Sequence, residues 1–245
     1  MKGNDLWLKE KPIAHRGYHF RNKKIPENSL VAFENAINCN FAIELDVHIS
    51  KDLEIFVYHD YNLKRITGID KIIENTTYKE LKSLNLYDTN YKIPILSEVL
   101  ELVDGKVPLL IEIKNKRKIG ILEEKLCLQL LDYNGDYAIQ SFSFDVITWL
   151  KNNAPNIIRG QLVKNINKVR DNVFLYLNSN ILRNDNKPRF MSCNINYIPN
   201  WIKQKRLKNE IYLLGWTVKN NIKINNIKKN FDNIIFEGFR PNIEK

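Results

Sequence analysis

The sequence predicts an α/β fold, an irregular (β/α)8 barrel of the TIM type with a small insertion around residues 60–96. Short runs rich in β-branched and aromatic residues alternate with stretches of helical periodicity, which is the pattern of parallel strands joined by crossover helices. The chain has 245 residues, a length at which such barrels form one domain. We therefore expect a single domain over residues 1–245.

Nine runs of the sequence have the composition and length of buried strands. One run is surplus to an eight-stranded barrel. The second and third are separated only by residues 50–53, which is too short for a parallel crossover, so we expect the barrel to be irregular there. In chain order the runs are 12–17, 42–49, 54–59, 108–114, 137–142, 157–163, 190–195, 211–218 and 233–239.

Helical periodicity fills most of the intervals between these runs. Residues 60–96 interrupt the alternation with a polar stretch, a short helix around 77–84 and the run KIPILSEVL, which predicts an insertion lying across one end of the barrel. The clearest helical segments have apolar residues three and four positions apart, several of them behind a Ser or Asp cap. They are 29–37, 97–103, 121–131 and 145–154.

Composition narrows the class of partner. The net charge is +10, but the basic residues are scattered and no nucleic-acid-binding motif accompanies them, which argues against a nucleic-acid partner. A basic rim is compatible with peripheral contact with an anionic membrane. Three widely spaced cysteines indicate neither a disulfide framework nor a zinc site. Because no segment resembles a signal peptide or a membrane span, we expect a soluble cytoplasmic protein with no obligate protein partner.

Acidic residues recur at alternate positions of two predicted strands. Glu44, Asp46 and His48 share one face of the second run, and Glu112 and Lys114 share one face of the fourth. Buried carboxylates without a positive neighbour would cost several kcal/mol each, so a bound cation is the simplest explanation. Carboxylate oxygens suit one hard divalent ion, Mg²⁺ or Ca²⁺.

Two of the four histidines stand at the ends of predicted strands, where barrel enzymes place their active sites. These are His15 and His59. Imidazole is suited to proton transfer near neutral pH, and the guanidinium of Arg16 offers a planar, charged fork for a phosphate. His48 lies beyond the expected metal cluster, and we expect His19 to be exposed.

A series of motifs in fixed order resembles one family, the glycerophosphodiester phosphodiesterases. The resemblance covers nearly the whole chain and is strongest up to residue 114. It implies a barrel-type phosphoric diester hydrolase that converts glycerophosphodiesters to glycerol 3-phosphate and an alcohol, assisted by one divalent cation. The motifs are IAHRG at 13–17, PENSLVAFENAI at 26–37, IELDVHISKD at 43–52 and VYHDYNLKRITG at 57–68, followed by LLIEIK, QSFSFD and GWTV.

The resemblance also implies roles for ten residues. The histidines would be the acid and base, and the substrate would be a small phosphodiester or a lysophospholipid. Aromatic side chains would form apolar walls for its alcohol portion. By role, the residues are catalytic His15 and His59, metal-binding Glu44, Asp46 and Glu112, and phosphate- or substrate-binding Arg16, Lys114, Asn28, Phe142 and Trp216.

Three positions depart from the family's pattern. Leu53 stands where the family commonly has glycine, and Lys219 follows GWTV where the family has asparagine. Near the end, Glu237 stands where the family has an acid, but two extra residues precede Pro241. The metal and histidine motifs are unchanged, so these differences bear on the alcohol that the substrate carries.

Two other interpretations remain open at the level of sequence. A phospholipid-cleaving barrel lyase or phospholipase D-like enzyme would also use two histidines, and would form a cyclic phosphate. A non-catalytic barrel would bind phosphorylated ligands or membranes without turnover. The intact histidine and carboxylate motifs favour the hydrolase, but they do not indicate which histidine is the acid or whether a cyclic intermediate forms.

Overall fold

A computed structural model describes residues 5–20, 24–163 and 188–242. Within these ranges eight parallel strands pair in sequence around a closed ring, with β1 bonded to both β2 and β9. The predicted barrel is therefore confirmed, while a single domain over residues 1–245 stays a prediction. The barrel strands are β1 Ile13–Ala14, β2 Ala42–Ile49, β4 Leu109–Ile113, β5 Tyr137–Ser141, β6 Arg159–Val163, β7 Phe190–Asn194, β8 Tyr212–Val218 and β9 Asn233–Phe236.

The ninth run, β3 (Ile55–Val57), is a hairpin arm and not a barrel strand. It pairs antiparallel with the end of β2, Val57 lying opposite Val47. The turn between them includes Leu53 at φ +67°, in the region where glycine is favoured. The short 50–53 connection thus produces the predicted irregularity by returning the chain beside β2.

Helices surround the barrel between most of its strands. Their first turns follow the expected caps, since the Ser29 side chain accepts a bond from the Ala32 amide and Thr77 forms a capping box with Glu80. The described helices are α1 Trp7–Glu10, α2 Leu30–Asn38, α3 Lys64–Thr67, α4 Tyr78–Ser83, α5 Leu96–Val103, α6 Ile121–Leu130, α7 Phe144–Asn153, α8 Asn200–Leu207 and α9 Ile224–Asn230.

The two faces of each strand have different chemistry. In β2, Ile43, Leu45 and Val47 pack with helix residues in the outer core. The opposite face of the strands points into the barrel and forms two layers. The lower layer is apolar and is packed against Trp7 and Leu8 of α1. The upper layer, nearer the strand carboxyl ends, is polar, so the barrel interior opens into a charged site.

Residues 58–93 carry a separate hydrophobic cluster over the region of the predicted insertion. Phe56 of β3 is the one member of the cluster that lies before this range, and the insertion ends where α5 begins. None of the helices in the described ranges combines the length and apolar character needed to span a bilayer. The cluster consists of Phe56, Tyr58, Leu63, Ile66, Ile73, Leu81, Leu86 and Ile93.

Candidate active site

Three carboxylates meet inside the upper layer of the barrel. Asp46 of β2 and Glu112 of β4 are register partners on adjacent strands, and Glu44 lies two residues before Asp46 on the same face. All three are at most 6% exposed. One oxygen from each carboxylate lies within 4.8 Å of the others, a spacing that one cation can bridge.

Lys114, Arg16 and Asn28 contact this cluster. The Lys114 ammonium is 2.6 Å from Glu112 Oε1 and 3.2 Å from Asp46 Oδ1. Arg16 donates its backbone N–H to Glu44 Oε2 at 2.9 Å. Asn28 donates from Nδ2 to Asp46 Oδ2 at 2.8 Å. The side chain of Asn28 therefore orients a carboxylate and does not itself line the cavity.

The carboxylates have unequal affinity for protons. Burial, reinforced by the negative charge of Asp46, raises the pKa of Glu44 well above its usual range and that of Glu112 to about 7. Burial also acts to raise the pKa of Asp46, but Lys114 and nearby positive groups outweigh it and the pKa is lowered. With all three carboxyls ionised, the cluster would carry one negative charge more than Lys114 and Arg16 balance, and its all-oxygen donor set fits a divalent ion.

His15 leaves the barrel wall directly after β1 and is held by an acid from the other end of the chain. Its Nδ1 lies 3.0 Å from Oε2 of Glu237, the residue after β9. Burial lowers the pKa of His15 to about 4 despite this carboxylate, while the hydrogen bond to His15 lowers the pKa of Glu237 to about 2. A neutral His15 that donates from Nδ1 presents a lone pair at Nε2.

His59 is also hydrogen-bonded to a carboxylate through its Nδ1. Its Nδ1 lies 2.6 Å from Asp60 Oδ1, and Asp60 Oδ2 accepts a 2.6 Å bond from Arg65 Nε. The His59 carbonyl lies 3.1 Å from Nε2 of the buried His48. Burial lowers the pKa of His59. Because the ring of His48 is buried and lies in hydrogen-bond contact with the His59 carbonyl, His48 is a structural residue that holds the loop carrying His59.

His59 reaches the site by a route that differs from the sequence-based reasoning. It follows β3, which is not a barrel strand, so it does not lie at the carboxyl end of one. Because the hairpin folds back along β2, the Tyr58 amide donates to the Asp46 carbonyl at 3.0 Å, which brings the next residue beside the carboxylates.

The residues face a cavity with two lobes that share His15, Arg16 and Thr217. The inner lobe, about 100 Å³, lies over the carboxylates, and the outer lobe, about 400 Å³, lies towards the insertion. The rings of Phe142 and Trp216 pack edge to face in the wall of the inner lobe, with their centroids 5.9 Å apart. The outer lobe is lined by His15, Arg16, His19, Glu27, Arg65, Tyr87, Thr217, Lys219 and Glu237.

The structure brings the ten predicted site residues together. Eight of them line the inner lobe, Asp46 belongs to the carboxylate cluster, and Asn28 bonds to Asp46. The expectation for His19 is wrong: it is only 9% exposed, because its loop folds back onto α2 through a bond from the Tyr18 amide to the Ala32 carbonyl. Sequence reasoning did not identify Gln140, Leu162, Thr217 and Ile235 of the inner lobe. Of the outer lobe, it named Lys219 and Glu237 only as positions that bear on the alcohol of the substrate, and it assigned no role to Glu27, Arg65 and Tyr87.

Comparison with known families agrees with this architecture. The model of the glycerophosphoryl diester phosphodiesterase family matches residues 15–235, nearly the whole chain. The chain belongs to this family. The match begins at His15, directly after β1, and ends within β9, so it includes all ten predicted site residues, and the predicted phosphoric diester hydrolase class is confirmed at the level of the family.

Individual relatives match between half and most of the chain. The chain is 38% identical to a glycerophosphodiester phosphodiesterase of Bacillus altitudinis over 131 residues, which is 49% of this chain and 52% of that protein. It is 30% identical to a putative glycerophosphodiester phosphodiesterase of Bacillus subtilis, over 85% of this chain and 86% of the relative. A solved glycerophosphodiester phosphodiesterase from Thermotoga maritima superposes with a TM-score of 0.72 at 27% identity, covering 92% of this chain and 94% of that one.

Proposed function

We propose that this chain hydrolyses glycerophosphodiesters to glycerol 3-phosphate and an alcohol, with His15 and His59 as the proton-transferring pair. The observation that carries this proposal is the pair of histidines, each bonded to its own carboxylate, lining one cavity with three clustered carboxylates. Family membership supports the choice of substrate class. The names of the relatives support the same reaction.

A divalent ion, Mg²⁺ or Ca²⁺, would be held by Glu44, Asp46 and Glu112. When bound, it would neutralise charge on the phosphodiester. Arg16 and Lys114 would contact the phosphate oxygens, since both cations border the inner lobe beside the carboxylates. The diester would then lie at the junction of the two lobes, within reach of His15.

The histidines would transfer protons in turn. A neutral imidazole accepts the proton of the attacking oxygen, and the other, once protonated, delivers a proton to the leaving alcohol. Glu237 and Asp60 would hold the two rings by their Nδ1 atoms and stabilise each imidazolium as it forms. Phe142 and Trp216 would exclude water on the apolar side of the inner lobe.

The experiment is cleavage of glycerophosphodiesters by the purified chain in Mg²⁺, in Ca²⁺ and in chelator, with products identified. We expect ion-dependent release of glycerol 3-phosphate, and a fall in kcat of about 10²- to 10⁴-fold in His15→Ala and in His59→Ala. Lys64→Ala is the control and should retain wild-type kinetics, because Lys64 is exposed and pairs with Asp70 in the insertion.

Other outcomes would assign the site differently. A cyclic phosphate as the final product would indicate that the chain is a barrel lyase and not a hydrolase. Full activity of both histidine variants would exclude them as the proton-transferring pair. An absence of turnover with every diester and ion would favour the non-catalytic barrel that binds phosphorylated ligands.

A further inference from the structure

The outer lobe provides a second compartment for a substrate whose phosphate lies at the junction. A phosphodiester carries two substituents, and His15, Arg16 and Thr217 border both lobes. The inner lobe of about 100 Å³ has room for a three-carbon glycerol group, whereas the outer lobe is about 400 Å³. The headgroup alcohol would therefore extend into the outer lobe; this step rests on the proposed function.

The carboxylates of the outer lobe already have partners. Glu27 Oε1 accepts bonds from Arg16 at 2.6 Å and from Arg65 at 2.7 Å, and its Oε2 accepts from Arg65 at 3.0 Å and from the Tyr87 hydroxyl at 3.1 Å. Glu237 is engaged by His15 at 3.0 Å. Glu27 therefore has no oxygen left to receive a cationic headgroup, and the other oxygen of Glu237, Oε1, faces the Lys219 ammonium at 3.7 Å.

Lys219 is a cation of this lobe whose ammonium donates no hydrogen bond to the described residues. Its side chain is 68% exposed, and its Nζ lies 3.7 Å from Glu237 Oε1, beyond hydrogen-bond distance. It follows directly after β8, at the position where the sequence departs from the family's usual asparagine. An ammonium at the mouth of the lobe can donate to hydroxyl or anionic oxygens of a ligand.

His19 is a second polar group of the lobe with unused hydrogen-bonding capacity. It is only 9% exposed, and its Nε2 is buried with no hydrogen-bond partner among the described residues. A buried polar atom without a partner is costly. A ligand hydroxyl in the adjoining lobe would provide the missing partner.

The same lobe is poorly suited to a quaternary ammonium. Such groups are recognised by faces of several aromatic rings, and among the described lining residues Tyr87 is the only phenol or indole. We propose that the outer lobe is the subsite for a polyhydroxylated headgroup alcohol, and that Lys219 is a specificity-determining residue that favours this alcohol over choline.

The test compares two soluble diesters, glycerophosphoglycerol and glycerophosphocholine, under identical conditions. We expect wild type to cleave the first with at least tenfold higher kcat/KM. Lys219→Ala should lower the ratio of the two kcat/KM values about tenfold, mainly through KM for glycerophosphoglycerol. Lys64→Ala is the matched control, because Lys64 is equally exposed at 68% and does not line either lobe.

The outcomes separate this inference from the proposed function. Cleavage of both diesters with an unchanged ratio in Lys219→Ala would overturn the role of Lys219. A wild-type preference for the choline diester would overturn the polyol subsite, while leaving the hydrolase intact. Failure of wild type to cleave either diester would instead remove the proposed function and, with it, the inference.

Discussion

At the scale of single residues, Glu237 stands out because it fixes the ring of a candidate catalyst. The His15 to Glu237 bond at 3.0 Å joins positions 222 residues apart. We predict that Glu237→Gln lowers kcat about 10- to 100-fold with little change in KM, because the carboxylate charge that stabilises a protonated imidazole is lost.

Kinetics and thermal unfolding of the same preparations would check this. The Tm should be unchanged, Glu237→Asp should recover part of kcat, and Asp70→Asn, an exposed carboxylate in the insertion, should behave as wild type. Equal activity of Glu237→Gln and wild type would show that the carboxylate does not position His15.

His19 gives a prediction for stability against pH. Burial lowers its pKa below the usual 6.5, so the unfolded state binds a proton at higher pH than the folded state does. The stability contributed by neutral His19 is therefore present above pH 6.5 and lost as pH falls. Between pH 7 and 5 the free energy of unfolding should fall more steeply in wild type than in His19→Gln, by up to about 1.4 kcal/mol per pH unit.

Chemical denaturation at several pH values measures this slope. The comparison isolates His19 from the other three histidines, which both proteins retain. Parallel curves for the two proteins would contradict a depressed pKa at this position.

Some of these residues were readable from sequence and others were not. Alternation within AIELDVHI placed Glu44 and Asp46 on one face, since a strand leaves no other arrangement. The hydrogen-bond partner of His15 could not be predicted from the sequence, because only closure of the barrel brings β9, and with it Glu237, beside β1. Burial of His19 likewise depends on the fold of its loop against α2.

At the scale of elements, the turn after β1 depends on Gly17. Its φ is +79°, and a Cβ built there would lie 2.9 Å from the Ala32 backbone carbon and from the Phe33 ring. Gly17→Ala should therefore cost about 2 to 4 kcal/mol, combining left-handed strain with a clash against α2.

Gly68 supplies the matched control. It has nearly the same φ of +77° at the end of α3, but a Cβ there would meet nothing within 4 Å. Gly68→Ala should cost only about 1 kcal/mol. Similar losses in the two variants, measured by denaturant unfolding, would show that packing of the turn against α2 contributes little.

Predicted and observed strands differ mainly at their ends. The run 42–49 matches β2 fully, whereas the run 12–17 shrinks to Ile13–Ala14. Arg16 and Gly17 both have positive φ, which takes them out of the sheet ladder. The spacing of apolar residues identifies a buried strand, but it does not indicate the residue at which the chain turns out of the sheet.

At the scale of the whole molecule, the barrel stacks an apolar layer beneath a charged one, and we expect this charge to make stability depend on a cation. We predict that saturating Mg²⁺ or Ca²⁺ raises the Tm of wild type by about 5 to 10 °C, corresponding to about 2.7 kcal/mol at a hundredfold excess over Kd. Glu112→Gln should lose most of this shift, and Glu34→Gln, on the exposed face of α2, should keep it.

The ion effect should also depend on pH. The pKa of Glu112 is raised to about 7 by burial and by Asp46, so below that pH a proton occupies the carboxyl and competes with the ion. The shift in Tm should therefore grow as pH rises through 7. Thermal scans that show no ion effect at pH 8 would contradict a metal site at these carboxylates.

The alternation of strands and helices was enough to predict the global fold, because it is a property of the entire chain. The way the insertion docks was not predictable in this way. Arg65 and Tyr87 reach Glu27 across 38 and 60 positions, and contacts between loops leave no periodic trace in sequence.

The most direct test of the proposed hydrolysis is a ³¹P NMR time course with glycerophosphoglycerol and Mg²⁺, run on wild type and on His59→Ala. We predict that the diester resonance is replaced by that of glycerol 3-phosphate in wild type and persists in the variant and in chelator. A cyclic phosphate that accumulates as the end product, or equal turnover by His59→Ala, would contradict hydrolysis by this pair of histidines.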